Sequence, residues 1–306
     1  MSSGSAVTGG PVIASSRTRP RSTVRLLAYA LGVAAAVAAP WTGAAGTGHR
    51  AGHVPTPDHV VVVVMENHAY DQIIGSPGAP YINSLGRGGA VLTSSYAIAH
   101  PSQPNYFALF SGATQGITDD SCYTPGFRSA ANLASELTAV GKTWAGYSES
   151  LPSQGSTICD SGRYARKHNP WFGFRNVPRS SAKTFAQFPT VYARLPTVSF
   201  VIPNLCSDMH DCPVSAGDTW LQKHLGAYAA WAETHNSLLV VTFDEDNQHS
   251  KNKIATVLYG QPVTAGSRSA TRYDHYDVLR TIEDMYGTSH AGHAATASDI
   301  TGIWAS

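Results

Sequence analysis

Residues 60–67 read VVVVVMEN, and residues 238–246 read LLVVTFDED. Each is a short apolar run, rich in β-branched residues, that stops at acidic or amide side chains. Runs of this length and composition predict strands buried on both faces, as inside a parallel sheet. In open α/β sheets, ligands gather at the carboxyl ends of the strands. Glu66, Asn67, Asp244 and Glu245, at two such ends, predict a cluster of oxygen ligands suited to a hard or borderline divalent cation. Either run alone also reads as a polar strand-to-loop transition; the coincidence of the two favours a site.

Further strands are predicted at 90–96, 143–147, 197–202 and 254–259. Leu221, Leu225, Tyr228 and Ala232 recur at helical spacing and predict a helix over 218–235, with Asp218 or Thr219 as its cap. Val278, Leu279, Ile282, Met285 and Tyr286 line one face of a second helix, which Gly287 stops. A shorter helix is predicted from Ser102 to about Phe110. Strands alternating with helices predict an α/β fold whose mostly parallel central sheet carries helices on both faces. Stretches 116–129 and 155–181 are irregular and read as long loops of the kind that carry function.

The chain has 306 residues. Arg17, Arg19, Arg21 and Arg25 precede the apolar run 26–39, and small residues follow around 42–46, the pattern of a secretory signal peptide. Residues 1–46 are therefore read as signal peptide and leader, and 47–306 as a single domain. A membrane anchor is the rival, but the run is short and Ala-rich for a span. The expected product is a secreted protein with no stable membrane anchor. Without those four arginines, 17 Lys+Arg stand against 20 Asp+Glu. That balance argues against a nucleic-acid binder, which needs a concentrated basic face. Cys122, Cys159, Cys206 and Cys212 all lie beyond the leader, and an even number in an exported chain predicts two disulfides. Pairing of nearest neighbours, 122 with 159 and 206 with 212, is preferred. The rival is a zinc site of Cys206, Asp208, His210 and Cys212, whose spacing matches no common zinc signature.

The segment HPSQPNY (100–106) follows a strand and opens a helix. A serine there lies beside free backbone N–H groups, where phosphate binds readily. Ser102 also reads as a plain N-cap between two turn-forming prolines.

Five segments occur in order: VVVVVMENHAYDQIIG (60–75), AHPSQPNYFALFSG (99–112), RKHNPWFGF (166–174), VIPNLCSDMHD (201–211) and VTFDEDN (241–247). Together they resemble the bacterial phosphoesterase family of secreted acid phosphatases and phospholipases C, in the alkaline-phosphatase-like superfamily. The likeness is greatest to the acid phosphatase branch, which includes phosphatidylinositol-phosphate phosphatases. The resemblance implies that Glu66, Asn67, Asp244 and Glu245 bind a divalent metal ion, and that Ser102 is the nucleophile and also contacts the metal. Glu245 stands where relatives more often have Asp, which lengthens the ligand arm. His168 and Asn169 match a segment that contacts substrate phosphate, and Asp208 and His210 match a polar loop facing the site.

The residue types suit the implied chemistry. A cation beside a serine lowers the pKa of its hydroxyl and neutralises phosphate oxygens. In-line attack would leave a phosphoserine for water to hydrolyse. A histidine would protonate the leaving alkoxide, most readily in mildly acidic medium; His168 is the first choice and His210 the second. Arg163, Arg166, Lys167 and Arg175 are candidates for holding the second charge of a monoester, or are a solvated basic loop. The expected substrate is a small-molecule or lipid phosphate monoester, a phosphoinositide among the options. The alternatives are a phospholipase C-type phosphodiesterase, a non-catalytic secreted binding protein on the same fold, and a serine hydrolase without the Gly-x-Ser-x-Gly elbow.

Overall fold

The computed structural model describes residues 54–306; the expected leader lies outside the described residues. Strands β1 (His59–Met65), β2 (Ala90–Tyr96), β3 (Trp144–Ser148), β4 (Asp160–Ser161), β5 (Tyr164–Ala165), β6 (Ala182–Thr184), β7 (Val198–Ile202), β8 (Ser237–Phe243), β9 (Lys253–Gly260), β10 (Ser267–Ser269) and β11 (Tyr273–Asp274) alternate with helices. The helices are α1 (Tyr70–Ile73), α2 (Pro80–Gly88), α3 (Ser102–Ser111), α4 (Leu133–Ala139), α5 (Val214–Ala232) and α6 (His275–Tyr286). The main sheet runs β10-β2-β9-β8-β1-β7-β3-β6, and β11 also pairs with β2. Central β1 is parallel to both β7 and β8, and β3 continues the parallel run between β7 and β6.

The exception is β9, antiparallel to β8 and β2. Nine residues join β8 to β9. Antiparallel neighbours can be joined by a short loop, whereas a parallel crossover takes a dozen residues or more. Sequence periodicity identified the strand at 254–259 but carries no information on its direction.

Side chains alternate across a strand, and in β1 both sets are apolar. Val60, Val62 and Val64 enter one cluster with Phe107 and Phe110 of α3, Leu137 of α4, and Leu279 and Ile282 of α6. Val61, Val63 and Met65 enter another with Ile73 of α1, Leu85 of α2, and Leu221, Leu225 and Tyr228 of α5. The continuous valine run of residues 60–64 thus follows from burial of both sets.

Two helices depart from or complete the expected pattern. Helix α5 begins four residues before the expected Asp218, behind Pro213. Asp218 is not its cap: the carboxylate accepts hydrogen bonds from Tyr81 N (2.9 Å) and Ile82 N (2.8 Å), satisfying the start of α2 instead. Helix α6 is capped by Asp274, which accepts from Tyr276 N at 2.8 Å, and ends at Gly287 with φ 62°, a left-handed conformation that glycine adopts without strain.

Both loops expected to be irregular are so, apart from the β4–β5 pair and 3-10 turns at Arg166–His168, Pro170–Gly173 and Arg179–Ser181. Trp171 anchors this segment on β3, where a Cβ at Gly146 would lie 2.5 Å from the indole; only glycine allows that approach. The cysteines pair as Cys122–Cys159 and Cys206–Cys212, which takes both thiolates away from a zinc site at the second pair. Among the described residues, no helix is long and apolar enough to cross a membrane.

Candidate active site

The strand order brings the carboxyl ends of β7, β1 and β8 side by side. Glu66, the first residue after β1, donates its N–H to Asp208 O in the loop after β7, at 2.9 Å. Asp244, the first residue after β8, donates its N–H to Met65 O at 2.9 Å. Asn67 has φ 53°, a left-handed conformation that Asn tolerates better than most residues. Its N–H donates to Asp244 Oδ1 at 3.1 Å. Glu66, Asp208, Asp244 and Glu245 are all buried.

Ser102 is the first residue of α3, behind Pro101, and its side chain caps nothing. The hydroxyl lies 3.0 Å from Glu66 Oε2 and 3.2 Å from Glu245 Oε1. A hydroxyl carries one proton and cannot donate to both carboxylates at once. Either a carboxyl holds a proton of its own or a cation belongs among these oxygens. Other groups point the same way. Asp244 Oδ2, Asp208 Oδ2 and His168 Nε2 are buried without a hydrogen-bond partner, a costly state for polar atoms. One donor atom each from Glu66, His168 and Asp208 lies within 4.8 Å of the others. The residues present therefore fit a divalent cation with oxygen-rich coordination.

Electrostatics reinforce that fit. Burial, then Asp244 and Asp208, hold the Glu66 carboxyl well above the ordinary carboxylate range. Burial, then Glu245, do the same to Asp244. Burial pushes both Asp208 and Glu245 up to about 7. Four acids raised together in one place are unfavourable as bare anions, and a cation relieves them.

Two histidines lie behind the glutamates that flank Ser102. His168 Nε2 comes within 3.1 Å of Glu66 Oε1, and its Nδ1 within 3.5 Å of Asp208 Oδ2. His168 stacks on Tyr106 at 4.9 Å. Burial, then the Lys167 charge, hold its imidazole well below the ordinary value, so it is neutral and a poor proton donor. On the other side, His100 Nδ1 lies 2.6 Å from Glu245 Oε2 and Nε2 3.3 Å from Asp246 Oδ1.

An open pocket of about 370 Å³ is lined by Asn67, Ser102, Asp120, His210, Glu245 and Asp246, among others. His210 contacts Asp211 Oδ1 through Nδ1 at 2.7 Å and faces the pocket that holds Ser102, which buried His168 does not line. Asn169 does not line the pocket either. Its carboxamide accepts from Ser148 Oγ at 2.5 Å and donates to Ala165 O at 2.8 Å, both within the protein. A larger cavity of about 490 Å³ is lined by Trp171, Phe172 and Phe174 among others; of the candidate residues only Arg175 lines it.

Three participants escaped the sequence reading. Tyr106 donates its hydroxyl to Glu66 Oε1 at 2.6 Å; its position four residues after Ser102, on the same helical face, was the available signal. Asp120 and Asp246 sit in loops without periodicity. His275, the first residue of α6, contacts Asp244 O through Nε2 at 2.7 Å.

Comparison with known proteins identifies the family. The chain is 48% identical over 291 residues to a phosphatidylinositol-3-phosphatase of Mycobacterium tuberculosis, covering 94% of this chain and 97% of that protein. It is 29% identical over 274 residues to a probable acid phosphatase of Kluyveromyces lactis, covering 79% of this chain and 63% of that longer protein. A structure from the alkaline phosphatase superfamily, from Vibrio parahaemolyticus, superposes with a TM-score of 0.58 at 12% identity, over 80% of this chain and 69% of the other; at that identity it shows the fold alone. Residues 76–289 match the Phosphoesterase family, a span that takes in Ser102, His168, Asp208, Asp244 and Glu245. The chain belongs to the Phosphoesterase family.

Proposed function

We propose that this chain is a secreted phosphatase that hydrolyses phosphate monoesters through Ser102, with phosphoinositide monoesters among its substrates. The observation that carries the reading is the Ser102 hydroxyl, which caps no helix and lies between Glu66 Oε2 and Glu245 Oε1. The relatives' names supply the substrate class, a 3-phosphoinositide in one case and acid phosphatase action in the other. Export rests on the arginine-flanked apolar run and agrees with two disulfides. Division of the β1 side chains between two apolar clusters supports a sheet covered by helices on both faces.

Glu66, Asn67, Asp244 and Glu245, with the Ser102 hydroxyl, would hold the divalent cation, which would lower the serine pKa and neutralise phosphate oxygens. The chain's own groups account for the remaining steps. Ser102 Oγ attacks phosphorus in line as its proton passes to Glu245, whose Oε1 lies 3.2 Å from the hydroxyl, and the carboxyl returns that proton to the serine when water cleaves the phosphoserine. His210, across the same pocket, protonates the departing alkoxide and then takes a proton from the water that cleaves the phosphoserine. Tyr106 holds Glu66 by its hydrogen bond, so the glutamate does not turn away from Ser102.

Rapid acid quench during turnover of a phosphate monoester, followed by peptide mass spectrometry, should find phosphate on Ser102, and Ser102→Ala should abolish turnover while melting like the wild type. Phosphate on another residue, or full activity in Ser102→Ala, would refute the mechanism.

A further inference from the structure

Four basic residues near His168 are candidates for the second charge of a monoester, and their environments differ sharply. Arg166 is buried; its guanidinium donates to Thr157 O, Tyr123 O and, at 2.7 Å, Cys122 Sγ. Arg175 donates to Gly126 O, and Arg163 reaches Cys212 Sγ at 3.9 Å. Those three brace loops and disulfides. Lys167 is different: its ammonium pairs with Asp120 Oδ2 at 2.7 Å, and Asp120 lines the pocket that contains Ser102. Lys167 and Asp120 also share a recess of about 260 Å³ that includes Gln103, the residue after Ser102.

Asp120 therefore places a carboxylate between an ammonium and the Gln103 N–H, which donates to its Oδ1 at 2.9 Å. Those partners are ones that an anionic phosphate oxygen also takes. Asp120 is partly exposed, in a segment without regular structure, so it can yield its place.

We propose that Lys167 is the specificity-determining cation of this site: it exchanges Asp120 for the second anionic oxygen of a phosphate monoester, the charge that a diester lacks. The assignment rests on the phosphatase reading above and deepens it. It also gives Asp120 a role, as an internal anion that holds the ammonium in position until substrate replaces it.

The test compares para-nitrophenyl phosphate with its methyl diester, using wild type, Lys167→Gln, Lys167→Arg and Asp120→Asn at a fixed divalent-cation concentration. Loss of a charge-assisted hydrogen bond should lower the Lys167→Gln kcat/KM on the monoester by about 10- to 100-fold, and on the diester by much less. The ratio between the two substrates should collapse accordingly. Lys167→Arg, which keeps the charge, should retain most of the preference. Asp120→Asn, which removes the competing anion, should lower the monoester KM. Equal losses on both substrates in Lys167→Gln, an unchanged ratio, or an Asp120→Asn enzyme that loses the preference as Lys167→Gln does would each overturn the assignment. A wild type that cleaves no monoester would refute the phosphatase reading itself, whereas an active wild type whose ratio ignores Lys167 refutes the Lys167 assignment alone.

Discussion

Tyr106→Phe isolates a single bond at the centre of the site. The substitution removes the hydroxyl that donates to Glu66 Oε1 at 2.6 Å and keeps the ring that stacks on His168, so packing is preserved. Burial, then Asp244 and Asp208, already raise the Glu66 carboxyl, and the Tyr106 bond opposes them. Without it Glu66 holds its proton more tightly and is a weaker cation ligand. A hydrogen bond to a charged group contributes about 1.5–3 kcal/mol, which corresponds to roughly 10- to 150-fold in an equilibrium constant. The affinity for a divalent cation, measured by calorimetric titration of the chelator-stripped protein with Mn²⁺, should fall by that factor. Turnover of a phosphate monoester at saturating cation should recover to within a few-fold of wild type. Unchanged cation affinity in Tyr106→Phe, or a turnover defect that saturating cation does not relieve, would refute the proposition that Tyr106 acts by orienting and charging Glu66.

Asp244→Ala should lower kcat/KM on a monoester by roughly 10²-fold or more, the scale of losing a group that stabilises transition-state charge; retention of wild-type rates would contradict its place in the site. Cys206→Ser with Cys212→Ser opens a loop closed between cysteines 6 positions apart, which carries Asp208 and His210. It should lower stability by about 2 kcal/mol in denaturant melts and reduce turnover as well, whereas opening Cys122–Cys159, 37 residues apart, should cost about 4 kcal/mol. Glu283 is pushed up to about 9 by burial and then by Glu136, so the folded state keeps a proton that the unfolded chain releases at lower pH. Its contribution is fully present below the unfolded value and is lost as pH rises towards 9; melting temperatures of Glu283→Gln followed from pH 5 to 9 should decline less than those of the wild type.

The two strand ends that frame the site were legible because a β-branched run that stops at carboxylates is a local pattern. Their adjacency was not local. Glu66 and Asp244 come together because β1 lies between β7 and β8, and strand order is not written in periodicity. The same limit explains Asp218. Its position before an amphipathic run reads as a cap for α5, yet its carboxylate serves Tyr81 and Ile82, more than 130 residues earlier. His168 was preferred to His210 on the segment it matches, and only burial separates an enclosed imidazole from one that lines the pocket. Asn169 matched the same segment as His168, but its amide closes a turn within the protein. Lys167 could not be singled out from its three basic neighbours until their carbonyl and sulfur partners were known.

The reversal of β9 has a consequence for the chemistry. Parallel neighbours leave the sheet edge by long crossovers, which carry the chain away from the strand ends. After β8 the chain instead turns back within residues 244–252, so those residues stay at the site as one of its walls. Asp246 holds that turn together, accepting from Gln248 N at 2.6 Å and from Ser250 N and Asn252 N at 2.8 Å each. With Asp246 engaged in the backbone, the neighbouring Glu245 is presented from a fixed turn, and His100 grips both side chains from the serine loop. The longer glutamate arm at 245 thus begins from a braced backbone and ends against two partners, His100 and Ser102. The extra methylene of glutamate at 245 is restrained at both ends, and shortening it to Asp would withdraw the carboxylate from His100 and Ser102 together.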